Sequence, residues 1–302
     1  MMRVSVIIPV HNGAHTLAEC LWSVLRQTRP ADEVIVVDNN STDETKDIIH
    51  ATTLINPAVR YVFEARRSRG AARNAGINVA QGDIVAMTDA DCIVPGDWLR
   101  RLTTPLLDGK ARVVVGGEYD VPGNYWSRNI QHESARLMQR ASKDGTTVIL
   151  DTKNCAMRMS DARAHPFDPV LLRCQDLDVG LRLQRHTSIT YCPTVMVGHH
   201  HKSTFSGVAG LQFARGYWAL HVRRKHLMTG AGKSHPMLES MSVRNFLTFP
   251  FWMIRQAIRR PLPELLFLVV SETAWRAGVL WACIASADGV RGRTARNDQV
   301  NQ

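Results

Sequence analysis

The chain has 302 residues, 45% of them apolar, with 37 Lys and Arg against 27 Asp and Glu for a formal charge of +10, enough length to bury one large core or two modest ones. That charge suits nucleic acid, a membrane surface or an anionic ligand, and nucleic acid is disfavoured because no recognition motif or stacking platform accompanies the basic residues. Cys20, Cys92, Cys155, Cys174, Cys192 and Cys283 lack metal-ligand spacing, and the chain opens into a strand without a signal peptide, so reduced thiols in a cytoplasmic protein are expected.

Short apolar runs rich in β-branched residues at 4–10, 33–37, 59–63 and 84–88 predict buried strands. Between them Leu17, Leu21, Val24 and Leu25 share one helical face, and Ser41-Thr42-Asp43-Glu44 has the form of a capping box ahead of Ile48 and Ile49. Such alternation predicts an α/β fold with a mostly parallel sheet and helices on both faces, which binds ligands beyond the carboxyl ends of its strands. The loop His11-Asn12-Gly13, Asp38 and Asp89 lie there.

The run from Ile84 ends in Asp89-Ala90-Asp91. In an extended segment residues i and i+2 point to one side, so both carboxylates can converge on a divalent ion that completes its shell with phosphate and water. Taken alone, the same pattern also suits a solvated turn. Further on, Asp178 and Arg182 are spaced to pair along a helix, and Asp176 has the place of a helix N-terminal carboxylate favoured by the dipole. His199, His200 and His201 follow; if extended, the first and third share a side.

The successive segments Val4-Ser5-Val6-Ile7-Ile8-Pro9-Val10-His11-Asn12-Gly13, Leu21-Trp22-Ser23-Val24-Leu25, Glu33-Val34-Ile35-Val36-Val37-Asp38-Asn39-Asn40-Ser41, Arg69-Gly70-Ala71-Ala72-Arg73-Asn74 and Asp89-Ala90-Asp91 resemble the ordered blocks of family 2 glycosyltransferases with the GT-A fold. The resemblance implies a nucleotide-sugar donor, most often UDP-linked, a divalent Mn2+ or Mg2+, and transfer with inversion. It implies that Pro9, His11 and Asn12 flank the nucleotide, that Asp38 bonds the base, and that Arg69 and Arg73 reach toward base or phosphate. Asp89 and Ala90 would face the ribose, Asp89 also the metal, and Asp91 would be the firmer metal ligand. The family more often has Asp-Asp-Gly-Ser where this chain has Asp38-Asn39-Asn40-Ser41.

In the second half, Thr152 to Ser160 resembles the segment lining the acceptor and sugar pocket, with Asn154 as its expected polar contact. Cys174-Gln175-Asp176-Leu177-Asp178 resembles Glu-Asp-x-Asp-Leu, whose second residue is the catalytic base. That implies Asp176 as the base, with Gln175 in the usual Glu position beside acceptor or sugar. One carboxylate suffices, because a single displacement needs only a base for the acceptor proton and a metal for the leaving diphosphate. By the same resemblance His199 supplies a third metal ligand and His201 lies near the sugar or diphosphate.

The expected organisation is a catalytic domain over 1–225, with a nucleotide-sugar half to residue 110 and an acceptor half beyond it, then a helical extension over 226–290 and a disordered tail over 291–302. Apolar runs at 246–258 and 265–287 contain Arg255, Glu272 and Arg276. Charges at the centre of a spanning helix cost about 2.5 to 3.5 kcal/mol each, so the expectation is a helical hairpin. It would cover the catalytic domain, form a homodimer or rest on the inner face of the cell membrane with Trp252, Trp275 and Trp281 as anchors. The leading function is an inverting glycosyltransferase acting on a glycan, lipid or peptide acceptor. A degenerate nucleotide-sugar-binding protein is the non-enzymatic alternative, favoured by Gln175 alone, and a sugar nucleotidyltransferase lacks its glycine-rich loop.

Overall fold

The computed structural model describes residues 2–121, 123–226 and 235–300; for Met237, Val243 and residues 286–300 it describes the backbone. The fully buried β1 (Val4–Val10) leads to α1 (Leu17–Leu25), β2 (Glu33–Asp38), α2 (Thr45–Ile55), β3 (Val59–Phe63), α3 (Arg69–Val79) and β4 (Ile84–Met87). β1 pairs in parallel with β2 on one side and β4 on the other, and β3 pairs in parallel with β2. The strand order therefore reverses at β1, and the carboxyl ends of β1 and β4 are where sheets of this kind bind their ligands.

There follow β5 (Cys92–Ile93), α4 (Trp98–Leu107), β6 (Val113–Asp120), α5 (Tyr125–Ala141), β7 (Ser142–Lys143), β8 (Thr146–Thr147), β9 (Cys155–Arg158), α6 (Met159–Ala164), α7 (Gln175–Leu183) and β10 (Ile189–His199). β9 enters antiparallel between β4 and β6, and β10 runs parallel to β6, giving the order β3-β2-β1-β4-β9-β6-β10-β8-β7 with β5 on β10. Alternate residues of β1 serve opposite faces. Val4, Val6, Ile8 and Val10 join Leu21, Ile49, Leu99 and Leu102 from α1, α2 and α4. Ile7 joins Ala72, Ile77, Val179 and Leu183 from α3 and α7. Pro9 sits within β1 past the last residue paired with β4, so its missing N–H costs that ladder nothing.

The expected capping box does not form. α2 starts at Thr45, whose N–H is taken by Asp43, while the Ser41 hydroxyl accepts the Asn12 N–H at 3.0 Å and Asp43 accepts the Ala14 N–H at 3.1 Å. These side chains stitch the loop after β2 to the loop after β1, a long-range use that outcompetes local capping.

The chain divides into the compact units Met1–His201 and Lys202–Gln302, earlier than the expected residue 225. The second unit holds α8 (Phe205–His226), α9 (Pro236–Glu239), α10 (Val243–Leu247), α11 (Phe249–Arg259) and α12 (Leu262–Val300). α8 belongs to it because a Cβ at Gly216 would lie 2.0 Å from the Trp275 carbonyl oxygen, and one at Gly278 2.0 Å from that of Phe213. Glycine lets the two helices cross backbone to backbone, and buried Gln212 bonds Ser271 across the contact. Trp275 is buried there rather than free as an anchor. Glu272 and Arg276 pair within α12, with the guanidinium 3.7 Å from the Phe249 ring centroid. Leu262–Ala285 is long and apolar enough to cross a membrane by length and composition. α12 continues to Val300 through most of the expected tail; residues 301 and 302 lie outside the described residues.

Candidate active site

Beyond the carboxyl end of β2, buried Asp38 accepts the Ser41 N–H at 2.9 Å and the Tyr61 hydroxyl at 3.2 Å. Burial, then the Asp38 charge, push the Tyr61 phenol up to about 12, so it remains a donor. Asn39 is buried and gives its amide hydrogens to the Glu64 and Arg66 carbonyls. A carboxylate could not donate there, which explains the amide. Asn40 and Asn12 hold φ of 61° and 50°, a region Asn enters more easily than most residues. Arg67 donates to His11 Nε2 at 2.7 Å, so Nδ1 carries the ring proton and donates to the Asn39 carbonyl at 3.0 Å. His11, Asn12 and Asp38 thereby form one rim.

The Asp-x-Asp turn lies beyond β4. Asp89 accepts from Arg73 at 2.8 Å, and that arginine is 2% exposed with its guanidinium 5.5 Å from the Phe167 ring centroid. Arg73 therefore points inward to position Asp89, not outward to base or phosphate; among the described residues its buried Nε has no hydrogen-bond partner. Ala90 is buried between the two carboxylates. Asp91 Oδ1 lies 3.5 Å from His199 Nε2. Burial alone would raise the Asp91 carboxyl, but the His199 hydrogen bond and charge, with Arg69 and Lys153 beyond, hold it at about 2. For His199, burial opposes the charge, but Asp91 and Glu118 outweigh it and lift the imidazole to about 9. Cys92 adjoins this pair, but burial, then the charges of Asp91 and Asp89, keep its thiol protonated. Carboxylate oxygens and one imidazole remain, a donor set that fits Mn2+ or Mg2+.

The expected base lies on α7. Cys174 precedes it at φ 59°, and Asp176 stands in the first turn, half-buried, accepting the Leu177 N–H at 2.8 Å. Asp178 is fully buried and pairs with Arg182 at 2.9 Å, as its spacing predicts, while Arg182 also donates to the Pro166 carbonyl. Asn74 of α3 exchanges two hydrogen bonds with the Phe167 backbone, at 2.7 and 2.9 Å. Burial pushes the Cys155 thiol up, and Asp151, Arg73, Asp89 and Asp176 all act on it electrostatically. Asp89 of the turn beyond β4 and Asp176 of α7 thus both act on one buried residue of β9.

The sequence pattern described as Glycosyl transferase family 2 matches residues 5–165, more than half of the chain. The chain belongs to this family. It is 29% identical over 265 residues to the glycosyltransferase AglE of Haloferax volcanii, covering 85% of this chain and 82% of that protein. It is 32% identical to the glycosyltransferase GlyG of Streptococcus pneumoniae over 41% of this chain, a match spanning only 42% of GlyG. The fold is similar to the mannosyltransferase PcManGT of Pyrobaculum calidifontis, solved with GDP-Man and Mn2+, at a TM-score of 0.68 and 23% identity over 95% of this chain and 86% of the other. Glucosyl-3-phosphoglycerate synthase of Mycobacterium tuberculosis, solved with Mn2+, UDP and glucosyl-3-phosphoglycerate, matches at 0.56 and 19% over 74% and 80%. The chain is therefore a GT-A glycosyltransferase, and the nucleotidyltransferase alternative is set aside.

Three residues expected at the acceptor or sugar make hydrogen bonds within the fold of this glycosyltransferase. Asn154 is 1% exposed; it accepts from the Trp98 indole at 2.9 Å and donates to the Gly117 and Val195 carbonyls at 2.8 Å each. It ties α4, β6 and β10 together, and Gly116 leaves room for it, since a Cβ there would lie 2.2 Å from the amide nitrogen. Asn154→Ala is expected to destabilise the fold by about 3 kcal/mol or more, because three buried partners lose their bonds; a denaturant melt measures it. Gln175 is buried and donates to the Leu171 carbonyl at 2.6 Å. His201 shares a side with His199, as expected, their rings 4.2 Å apart, but it faces Gln131 and Glu118. His200 donates its backbone N–H to the Asp91 carbonyl, and its ring Nε2 lies 3.6 Å from Glu19.

Sequence reasoning passed over Glu118, Asp151 and Lys153. Both Asp151 oxygens bond Lys153 at 2.8 Å, and Glu118 lies 3.3 Å from it. Burial opposes both charges, yet Asp151 and Glu118 hold Lys153 well above its usual range, and Lys153, then His199, hold Glu118 well below its own. The available signal was Glu118 itself, an acidic residue inside the apolar run of β6.

Proposed function

We propose that the chain is an inverting glycosyltransferase that moves a sugar from a nucleotide diphosphate sugar, UDP-linked, to an acceptor hydroxyl or other nucleophile. The observation that carries the reading is the Asp91–His199 pair with Asp89 two residues away, beyond the carboxyl end of β4, with Asp38 at the end of neighbouring β2 and Asp176 in the first turn of α7. Asp38 and the His11-Asn12 rim take the nucleotide, and Arg69 lends positive charge beside Asp91. Asp91 and His199 hold Mn2+ or Mg2+, with Asp89 braced behind them by Arg73. The bound metal supplies neutralisation of the diphosphate as it departs. Asp176 takes the acceptor proton, and inversion follows because no enzyme nucleophile intervenes. Manganese in the two structural relatives supports the choice of ion. Calorimetric titration against UDP, GDP, dTDP and CDP and their sugars, with manganese and with chelator, tests the reading. Tight, metal-dependent binding of the uridine compounds is expected; absence of metal-dependent binding to any of them refutes it.

The acceptor in this reading is a glycan, lipid-linked sugar or peptide, presented at an anionic membrane surface on the cytoplasmic side. Phe251, Ile254 and Ile258 recur along one side of α11 at 76%, 60% and 81% exposure. Exposed Arg255 and Arg259 follow the last two directly, so apolar area and positive charge coincide as in an interfacial helix. Phe251→Asp with Ile258→Asp is expected to abolish co-sedimentation with vesicles containing phosphatidylglycerol. Unchanged sedimentation, or a monomer produced from a dimer without any vesicle binding in the parent, overturns the membrane assignment.

A further inference from the structure

We propose that Glu118 is a positioning residue for the metal site, holding the His199 ring so that Nε2 is presented toward Asp91. The inference rests on the reading of Asp91 and His199 as metal ligands. Glu118 Oε2 lies 3.0 Å from His199 Nδ1, while His199 Nε2 faces Asp91 at 3.5 Å. A hydrogen bond to one ring nitrogen makes that nitrogen the N–H donor, so that a cation arriving at the other displaces its proton and meets the lone pair; the bond orients the ring and raises its basicity as a ligand.

Glu118 is itself held from several sides. Its Oε2 is 3.3 Å from Lys153 Nζ and 3.8 Å from His201 Nε2, and its backbone carbonyl accepts from Gln131, whose other amide atom meets His201 at 2.9 Å. Lys153 already has both oxygens of Asp151. A second buried carboxylate is more than that lysine needs, and burying a charge is costly unless it is paired. The group that uses the extra charge is His199. Glu118 leaves β6 beside Val197 of β10, two residues before His199, so the strand pairing itself sets the two side chains on neighbouring strands.

The test is Mn2+ titrated alone into the purified full chain, followed by electron paramagnetic resonance with nitrogen modulation as the signature of imidazole ligation. The parent is expected to bind with nitrogen modulation that Asp91→Ala and His199→Ala abolish. Glu118→Gln is expected to weaken Mn2+ about 10- to 100-fold and to diminish the modulation. The second variant Glu118→Asp keeps the negative charge beside Lys153 but shortens the reach to His199, and it keeps the measurement valid if Glu118→Gln fails to fold. It is expected to show the same loss of affinity and signature. Affinity within twofold of the parent and full modulation in either variant overturns the role of Glu118 while leaving the metal reading intact. A parent that binds no Mn2+ refutes the metal reading and the proposal with it.

Discussion

Asp176→Asn is expected to lower kcat roughly 1,000-fold or more, within reach of what a positioned general base contributes, while metal-dependent donor affinity stays within about twofold. Asparagine keeps the shape and can still accept the Leu177 N–H that Asp176 accepts at 2.8 Å, but it cannot take a proton from the acceptor. The first turn of a helix favours the native charge, so the variant loses only about 0.3 to 1 kcal/mol from that source and remains folded. The split is diagnostic: nucleoside diphosphate release falls, calorimetric donor binding does not. Near-native release would assign the base to another residue.

Asp91→Ala acts on the opposite side of the transfer. Its carboxyl is held at about 2 by His199, Arg69 and Lys153 against the pull of burial, so it is ready to ligate a cation throughout the neutral range. Its removal is expected to weaken manganese-dependent donor binding by about 100-fold or more, exceeding the loss typical of an outer-shell partner. In chelator, parent and variant should bind donor alike. Equal affinity with manganese present would withdraw Asp91 from the metal. Together the two variants separate base from ligand, because one changes turnover without binding and the other changes binding first.

The fold was legible because its signals are local. Alternation of β-branched runs and helical faces marked β1, β2, β3, β4 and α1 close to their observed bounds. The spacing of Asp178 and Arg182 yielded their pair, and that of His199 and His201 their common side. Asp38, Asp89 and Asp91 were legible because each stands where a buried strand ends. The failures share another cause. Ser41 was read as a cap and Asn154 as a sugar contact, yet each bonds residues far along the chain. Arg73 was aimed at the nucleotide, whereas its charge, once buried, required the nearest carboxylate, and that is Asp89.

By itself the sequence determined the α/β alternation and which carboxylates stand at the strand ends and at the head of α7, because 2.0- and 3.6-residue periodicities are properties of adjacent residues. Only the tertiary structure decided what supports them. Glu118 and His199 are 81 residues apart, and nothing in either neighbourhood specifies the other; they meet because β6 and β10 are neighbours in the sheet. A buried charge must find its partner across such distances once water is excluded, so the groups that position the site are set by strand order and packing.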